Sequence, residues 1–189
     1  MFMLLAYTGC DRRSEENSGT PQNTGNKELD FLQQNYNRNI KWAMAGDFLY
    51  DTSDLFSAAE EVDTGGVWGI KFYLFDPNAI PLVPLFESKV YDGSLEDSEV
   101  KSIVVDNETY LWYDSGDYFL GTSGGEEYSY IVDFRKKKVI EGHTIVQDEG
   151  DVKLYISPNA EPALREYMIS VIREDFPELQ TVRKDIKID

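Results

Sequence analysis

Between Val67 and Ile156 the chain alternates short β-branched and aromatic runs with turn residues, and this punctuation narrows the possible folds more than any other feature. The runs are Val67 to Phe75, Leu82 to Tyr91, Val100 to Val105, Glu108 to Tyr113, Tyr118 to Leu120, Glu127 to Phe134, Val139 to Val146 and Val152 to Ile156. Connections such as Asp114-Ser115-Gly116-Asp117 and Arg135-Lys136-Lys137 read as hairpin turns. Hairpins in sequence make an antiparallel meander. Val182, Ile186 and Ile188 extend the pattern into a final edge strand.

Helical periodicity flanks this β region. Leu29, Leu32, Tyr36, Ile40 and Ala43 recur at helical spacing and predict an amphipathic helix reaching about Met44. Asp51, Ser53 and Asp54 can cap a second helical turn over Leu55 to Glu61, ended by Gly65-Gly66. After Ser157-Pro158-Asn159 a helix is expected from Ala160 to Asp175, with Leu164, Met168, Val171 and Ile172 as its buried stripe. Asn159 is its expected cap, Pro162 sits in the tolerated first turn, and Pro177 ends it. The expected fold is α+β: an antiparallel β-meander sheet with an N-terminal and a C-terminal helix packed on one face. A β-sandwich with peripheral helices is the alternative.

The amino terminus reads as an address. Residues 1 to 9 are an apolar run too short to cross a bilayer as a helix. The run stops at Cys10, and residues 11 to 27 are rich in polar residues, glycine and proline, the composition of a flexible linker. Leu4-Leu5-Ala6-Tyr7-Thr8-Gly9-Cys10 resembles the lipobox of bacterial lipoproteins. That resemblance implies cleavage before Cys10, a diacylglycerol on its thiol, and residence in the cell envelope as a lipid-anchored protein. The apolar run lacks the basic n-region of a signal peptide, so residues 1 to 9 read as a truncated signal peptide. The expected organisation is then a leader over 1–9, a lipidated cysteine with its linker over 10–27, and a single acidic domain over 28–189.

Charge restricts the partners. The 189 residues carry 35 acidic and 18 basic side chains, a formal net of −17. Residues 28 to 134 hold 21 acidic and 5 basic side chains, so the field is concentrated there. Such a surface repels phosphate backbones and anionic lipid headgroups, which excludes nucleic acid as a natural partner and leaves the lipid anchor as the route to a membrane. A basic protein or a neutral glycan is compatible with it.

Aromatic residues crowd the same acidic stretch. Tyr110, Trp112, Tyr113 and Tyr118 are the candidate ligand-binding residues, since tyrosine and tryptophan supply rigid contact area with a polar handle. Catalytic signatures are scarce. His143 has no strand-to-helix nucleophile elbow to pair with, since Gly121-Thr122-Ser123-Gly124-Gly125 has the Gly-x-Ser-x-Gly spacing but lies between two strand-like runs, and one cysteine with one histidine cannot build a Cys/His zinc site. Gly65-Gly66-Val67-Trp68-Gly69 and Gly121-Thr122-Ser123-Gly124-Gly125 lack the Walker lysine and read as turns, so no cofactor is expected. Asp47, Asp51 and Asp54, or Asp114 and Asp117, could hold a surface calcium ion, though neither group has EF-hand spacing. The leading expectation is a noncatalytic envelope lipoprotein that binds a protein partner of basic character, in an immunity, inhibitor or assembly role. A glycan-binding domain is the second, and a hydrolase using two carboxylates the third.

Overall fold

The computed structural model describes residues 26–50, 54–96, 98–118, 124–147, 152–158, 160–177, 179 and 181–183. Cys10, the leader and the linker up to residue 25 lie outside them, while Asn26 and Lys27, expected to end the linker, belong instead to the start of the first helix.

Helix α1 spans Lys27–Asn35. Asn26 caps it by accepting the Leu29 amide at 2.9 Å, and its Nδ2 donates to the Ala43 carbonyl at 2.7 Å, fastening the helix start to the neighbouring strand. The helix stops at Tyr36, where the Tyr36 and Asn37 amides both donate to the Leu32 carbonyl. The periodicity expected to continue to Met44 is therefore cut short: Asn37 and Asn39 make a turn, and strand β1 runs over Ile40–Gly46. Ile40 and Ala43 are buried as expected, but from a strand that faces Leu29 and Leu32.

The second expected helix is also a strand. β2 covers Leu55–Asp63 and β3 Trp68–Phe75, followed by the short β4, Pro84–Glu87, and β5, Tyr91–Asp92. Residues of β2 have helix-forming composition, but β2 is hydrogen-bonded between β1 and β3 and covered on both sides, so tertiary context overrides propensity. Ala58 and Ala59, both fully buried, point to opposite faces and leave room for α1 on one side and large aromatics on the other.

The remaining strands are β6 (Ser98–Val105), β7 (Glu108–Tyr118), β8 (Gly125–Asp133), β9 (Lys138–Val146), β10 (Val152–Ile156) and β11 (Thr181–Arg183). They form a second sheet in the order β11-β10-β9-β8-β7-β6. The expected turn at 114–117 does not exist. β7 runs straight through it, because Asp114 to Asp117 pair with Ser129 to Glu126 across the ladder and Ser129 Oγ donates to Asp114 Oδ1 at 2.8 Å. The turn at 135–137 is present, with Asp133 Oδ1 accepting the Arg135 and Lys136 amides and Lys137 at φ 52°.

Helix α2, Pro162–Asp175, connects β10 to the parallel β11. Its N-cap is Glu161; the expected cap, Asn159, lies outside the described residues. Leu164, Met168, Ile169 and Ile172 bury against the second sheet, where Gly142 makes way for Met168: a Cβ there would stand 2.5 Å from the sulfur.

Strands therefore predominate, nearly all antiparallel, with one helix before them and one near their end. They form two sheets rather than one, and the helices do not share a face. α1 packs with Ala58, Tyr73 and Phe75 of the first sheet, α2 with Trp112, Ile131 and Ile140 of the second. The other faces of the two sheets share a cluster in which Phe72 meets Tyr113 at 5.7 Å and Tyr130 at 5.9 Å, while Phe134 meets Phe48 and Phe86. A single sheet with both helices on one face would have left its opposite face uncovered. Burying each of these rings is worth roughly 1.5–3 kcal/mol, which favours the paired arrangement. No helix among the described residues is long and apolar enough to cross a membrane.

Candidate functional site

Three of the four aromatics expected to bind a ligand are core. Trp112 is fully buried beneath α2, with Tyr167 edge-on at 5.7 Å, and Tyr113 is fully buried between the sheets. Tyr110 is buried too, donating to Glu108 at 2.6 Å with the Arg135 guanidinium 4.6 Å from its ring. A ring with no face open to solvent cannot stack on a ligand, so alternation along β7 fills both cores and leaves no aromatic patch on these residues. Tyr118 ends β7, and its side chain lies outside the described residues.

Tyr50 and Trp68 are the most solvent-exposed aromatics among the described residues; Tyr50 packs against Arg135, whereas Trp68 stands at a cleft. Strand alternation puts Trp68 on the same face as Ile70 and Phe72, the face that builds the core between the sheets. Tyr128 continues the row of Tyr130 and Val132 on β8 in the same way, and Ser115 continues that of Leu111 and Tyr113 on β7. At this end the two rows no longer close on each other. They leave an open cleft of about 460 Å³, with Gly66, Val67 and Trp68 on one wall and Ser115, Gly116 and Tyr128 on another. Trp68 remains 57% exposed and Val67 63%.

The hairpin carrying Trp68 is held by its own turn. Gly65 and Gly66 take φ of 98° and 100°, and both amides donate to Asp63 Oδ1 at 2.8 Å. Those two bonds hold the Asp63 carboxyl below its ordinary range. Thr64 closes the loop, its amide and hydroxyl both donating to the Val67 carbonyl.

Asp92, Gly93, Ser94 and Glu96 complete the cleft, on a segment fastened to both sheets. Tyr130 Oη donates to the Asp92 carbonyl at 2.7 Å and Tyr113 Oη to the Ser94 carbonyl at 2.5 Å. Burial pushes the Tyr113 phenol up to about 12, so it stays a donor throughout the physiological range. From the first sheet, Glu61 Oε1 accepts Ser94 Oγ at 2.9 Å and the Leu95 amide at 2.6 Å. The Asp92 and Glu96 side chains are exposed, and no lysine or arginine lines the cleft among the described residues. Gly93 is essential to this seating: it has φ 139°, and a Cβ there would lie 2.4 Å from Tyr113 Oη. Gly93→Ala is expected to cost about 2 kcal/mol or more through strain and a broken phenol bond, measured by urea unfolding.

His143 stands beside the cleft, against Tyr128. It pairs across the ladder with Tyr128 and Tyr155, its ring lies 4.8 Å from that of Tyr128 and nearly parallel to it, and Nε2 is 3.1 Å from Glu126 Oε2. The same oxygen accepts the Tyr128 hydroxyl at 2.6 Å; that bond, with help from His143, holds the Glu126 carboxyl low. No serine or threonine hydroxyl bonds His143 among the described residues.

Of the calcium candidates, Asp51 and the side chain of Asp117 lie outside the described residues. No group of three or more His, Cys, Asp or Glu side chains is placed to hold a metal among the described residues. Compared with known proteins, the chain matches no family model, no curated protein and no solved structure.

Proposed function

We propose that this is a noncatalytic binding domain, tethered to the bacterial cell envelope through Cys10, that engages a protein partner of basic character at the Trp68 cleft. The reading takes the two sheets as halves of a β-sandwich with a helix on each outer face, and the cleft as the end where the halves part. The observation that carries it is a tryptophan more than half exposed on a pinned hairpin, in a cleft lined by acidic and no basic side chains among the described residues. Exposed tryptophan is the residue most enriched in binding hot spots, and preorganised loops reduce the ordering cost of association. The net charge of −17 would accelerate encounter with a cationic surface. An immunity, inhibitor or assembly role suits a small domain of this kind.

Trp68→Ala is expected to cost about 1–3 kcal/mol of stability, because a little under half of the side chain is still buried. It should weaken partner binding by about tenfold or more, as loss of a hot-spot residue does. The check is retention of native envelope proteins on immobilised full-length chain, eluted with a salt gradient and compared with the variant. Retention by Trp68→Ala equal to that of the parent would remove the cleft from the account. Two aromatics in one cleft also favour a second reading, a glycan stacked on Trp68; salt-insensitive binding of a neutral oligosaccharide that shifts the Trp68 signals would put it first.

A further inference from the structure

Arg135 shows what this chain does with a cation. Its guanidinium lies 4.6 Å from the Tyr110 ring and 5.1 Å from the Tyr50 ring, with Glu108 Oε2 at 2.9 Å from Nη2 and Asp133 Oδ1 at 3.6 Å from Nε. Two aromatic faces and two carboxylates surround one planar cation. The cleft has the same complement: Trp68 and Tyr128 for rings, Asp92 and Glu96 for carboxylates. It has no cation of its own, and neither Asp92 nor Glu96 has an ion-pair partner among the described residues. Elsewhere the same economy holds, Lys89 lying 4.7 Å above Tyr91 and paired with Glu141 at 3.4 Å.

Resting on the reading of this cleft as a binding site, we infer that it receives an arginine side chain of the partner protein, with the guanidinium on the Trp68 indole and its donors directed at Asp92 and Glu96. Indole is the strongest of the aromatic platforms for a cation. Arginine suits the site better than lysine because its flat guanidinium stacks on a ring and still presents in-plane donors to two carboxylates, whereas an ammonium is a strongly hydrated point charge. The backbone of the segment bearing Asp92 and Glu96 is already bonded to Tyr113, Tyr130 and Glu61, so these acceptors need little rearrangement.

The test uses the full-length, isotopically labelled chain and two capped hexapeptides, one with two arginines among glycines and one with two lysines, at about 20 mM and about 300 mM salt. The arginine peptide is expected to shift the Trp68 indole N–H and the amides of Gly93 and Gly116, and to bind at least about threefold tighter than its lysine counterpart. Asp92→Asn/Glu96→Gln should weaken it by about tenfold, while Asp30→Asn/Glu166→Gln, which removes two exposed charges elsewhere, should leave it within about twofold. Equal losses in the two double variants, or shifts scattered over the acidic surface, would overturn the inference as mere polyanion attraction. If Trp68→Ala abolishes retention of native partners while Asp92→Asn/Glu96→Gln leaves it intact, arginine recognition fails and the binding cleft stands. If neither variant affects retention, both fail.

Discussion

Replacing Trp112 by alanine is expected to destabilise the protein by about 3–5 kcal/mol, the range for removing a large aromatic from a closed core. Trp112 is fully buried within the cluster formed by Ile103, Ile131, Ile140 and Met168, under the ring of Tyr167, and the helix that covers it cannot collapse into so large a space. Its indole nitrogen has no hydrogen-bond partner among the described residues. An unbonded buried N–H costs about 1–3 kcal/mol, which offsets part of what the ring contributes. Trp112→Phe, which keeps most of the volume and removes that donor, should therefore be much milder than alanine. Urea unfolding followed by circular dichroism measures both. A cost below about 1 kcal/mol for Trp112→Ala would contradict the placement of α2 on this sheet. Any loss of ligand binding in the alanine variant would report unfolding rather than a missing contact.

Asp114→Asn is expected to stabilise the protein at alkaline pH and to do little in acid. Burial pushes the Asp114 carboxyl up to about 6 from an ordinary 3.8; Asp175 and Glu99 add to the rise, while the Ser129 hydroxyl and Lys101 oppose it. The native state thus binds this proton more tightly than the unfolded chain does. The resulting stabilisation is fully present below the unfolded value and is lost as pH rises through the folded one. A shift of this size corresponds to a penalty of about 2–3 kcal/mol above neutrality, an order-of-magnitude figure. Asparagine still accepts from Ser129 and carries no charge to desolvate, so its advantage should be about 2 kcal/mol near pH 8 and close to zero below about pH 4. Glu108, Glu126 and Asp63, whose carboxyls are held low, lose stabilisation in acid, but they do so in both proteins and cancel in the comparison. Urea unfolding at the two pH values decides it: an equal difference at both, or destabilisation at pH 8, would contradict the burial of the charge.

Most of the strands were legible because their signals are local. Val152 to Ile156 and the run into the Arg135-Lys136-Lys137 turn carry their own alternation and turn chemistry. Leu55 to Glu61 misled because alanine and glutamate favour a helix in isolation, and only the neighbours on both faces require a strand with small side chains. Asp114 to Asp117 misled for a related reason: turn-prone residues were drawn into the ladder by Ser129 and the rest of β8. The cleft was less legible than the fold. Aromatics at alternate strand positions are more often core than surface, but alternation alone does not say which face is covered; Tyr110, Trp112 and Tyr113 are all core because two layers, not one, close over β7. Trp68 was set aside as part of a glycine turn. The usable signal was its position: a large aromatic two residues after Gly66 of the Gly65-Gly66 turn, at the end of a strand where opposing layers part, has less to bury against.

The central claim is that the Trp68 cleft is where a partner sits. A photo-crosslinking amino acid placed at position 68 of the full-length protein in its native host tests it, with position 80 as control because Ile80 is 97% exposed in the loop that follows the opposite end of β3. Crosslinking from position 68 to a discrete protein, with none from position 80, is the result predicted. No adduct from position 68, or the same adducts from both positions, would contradict it.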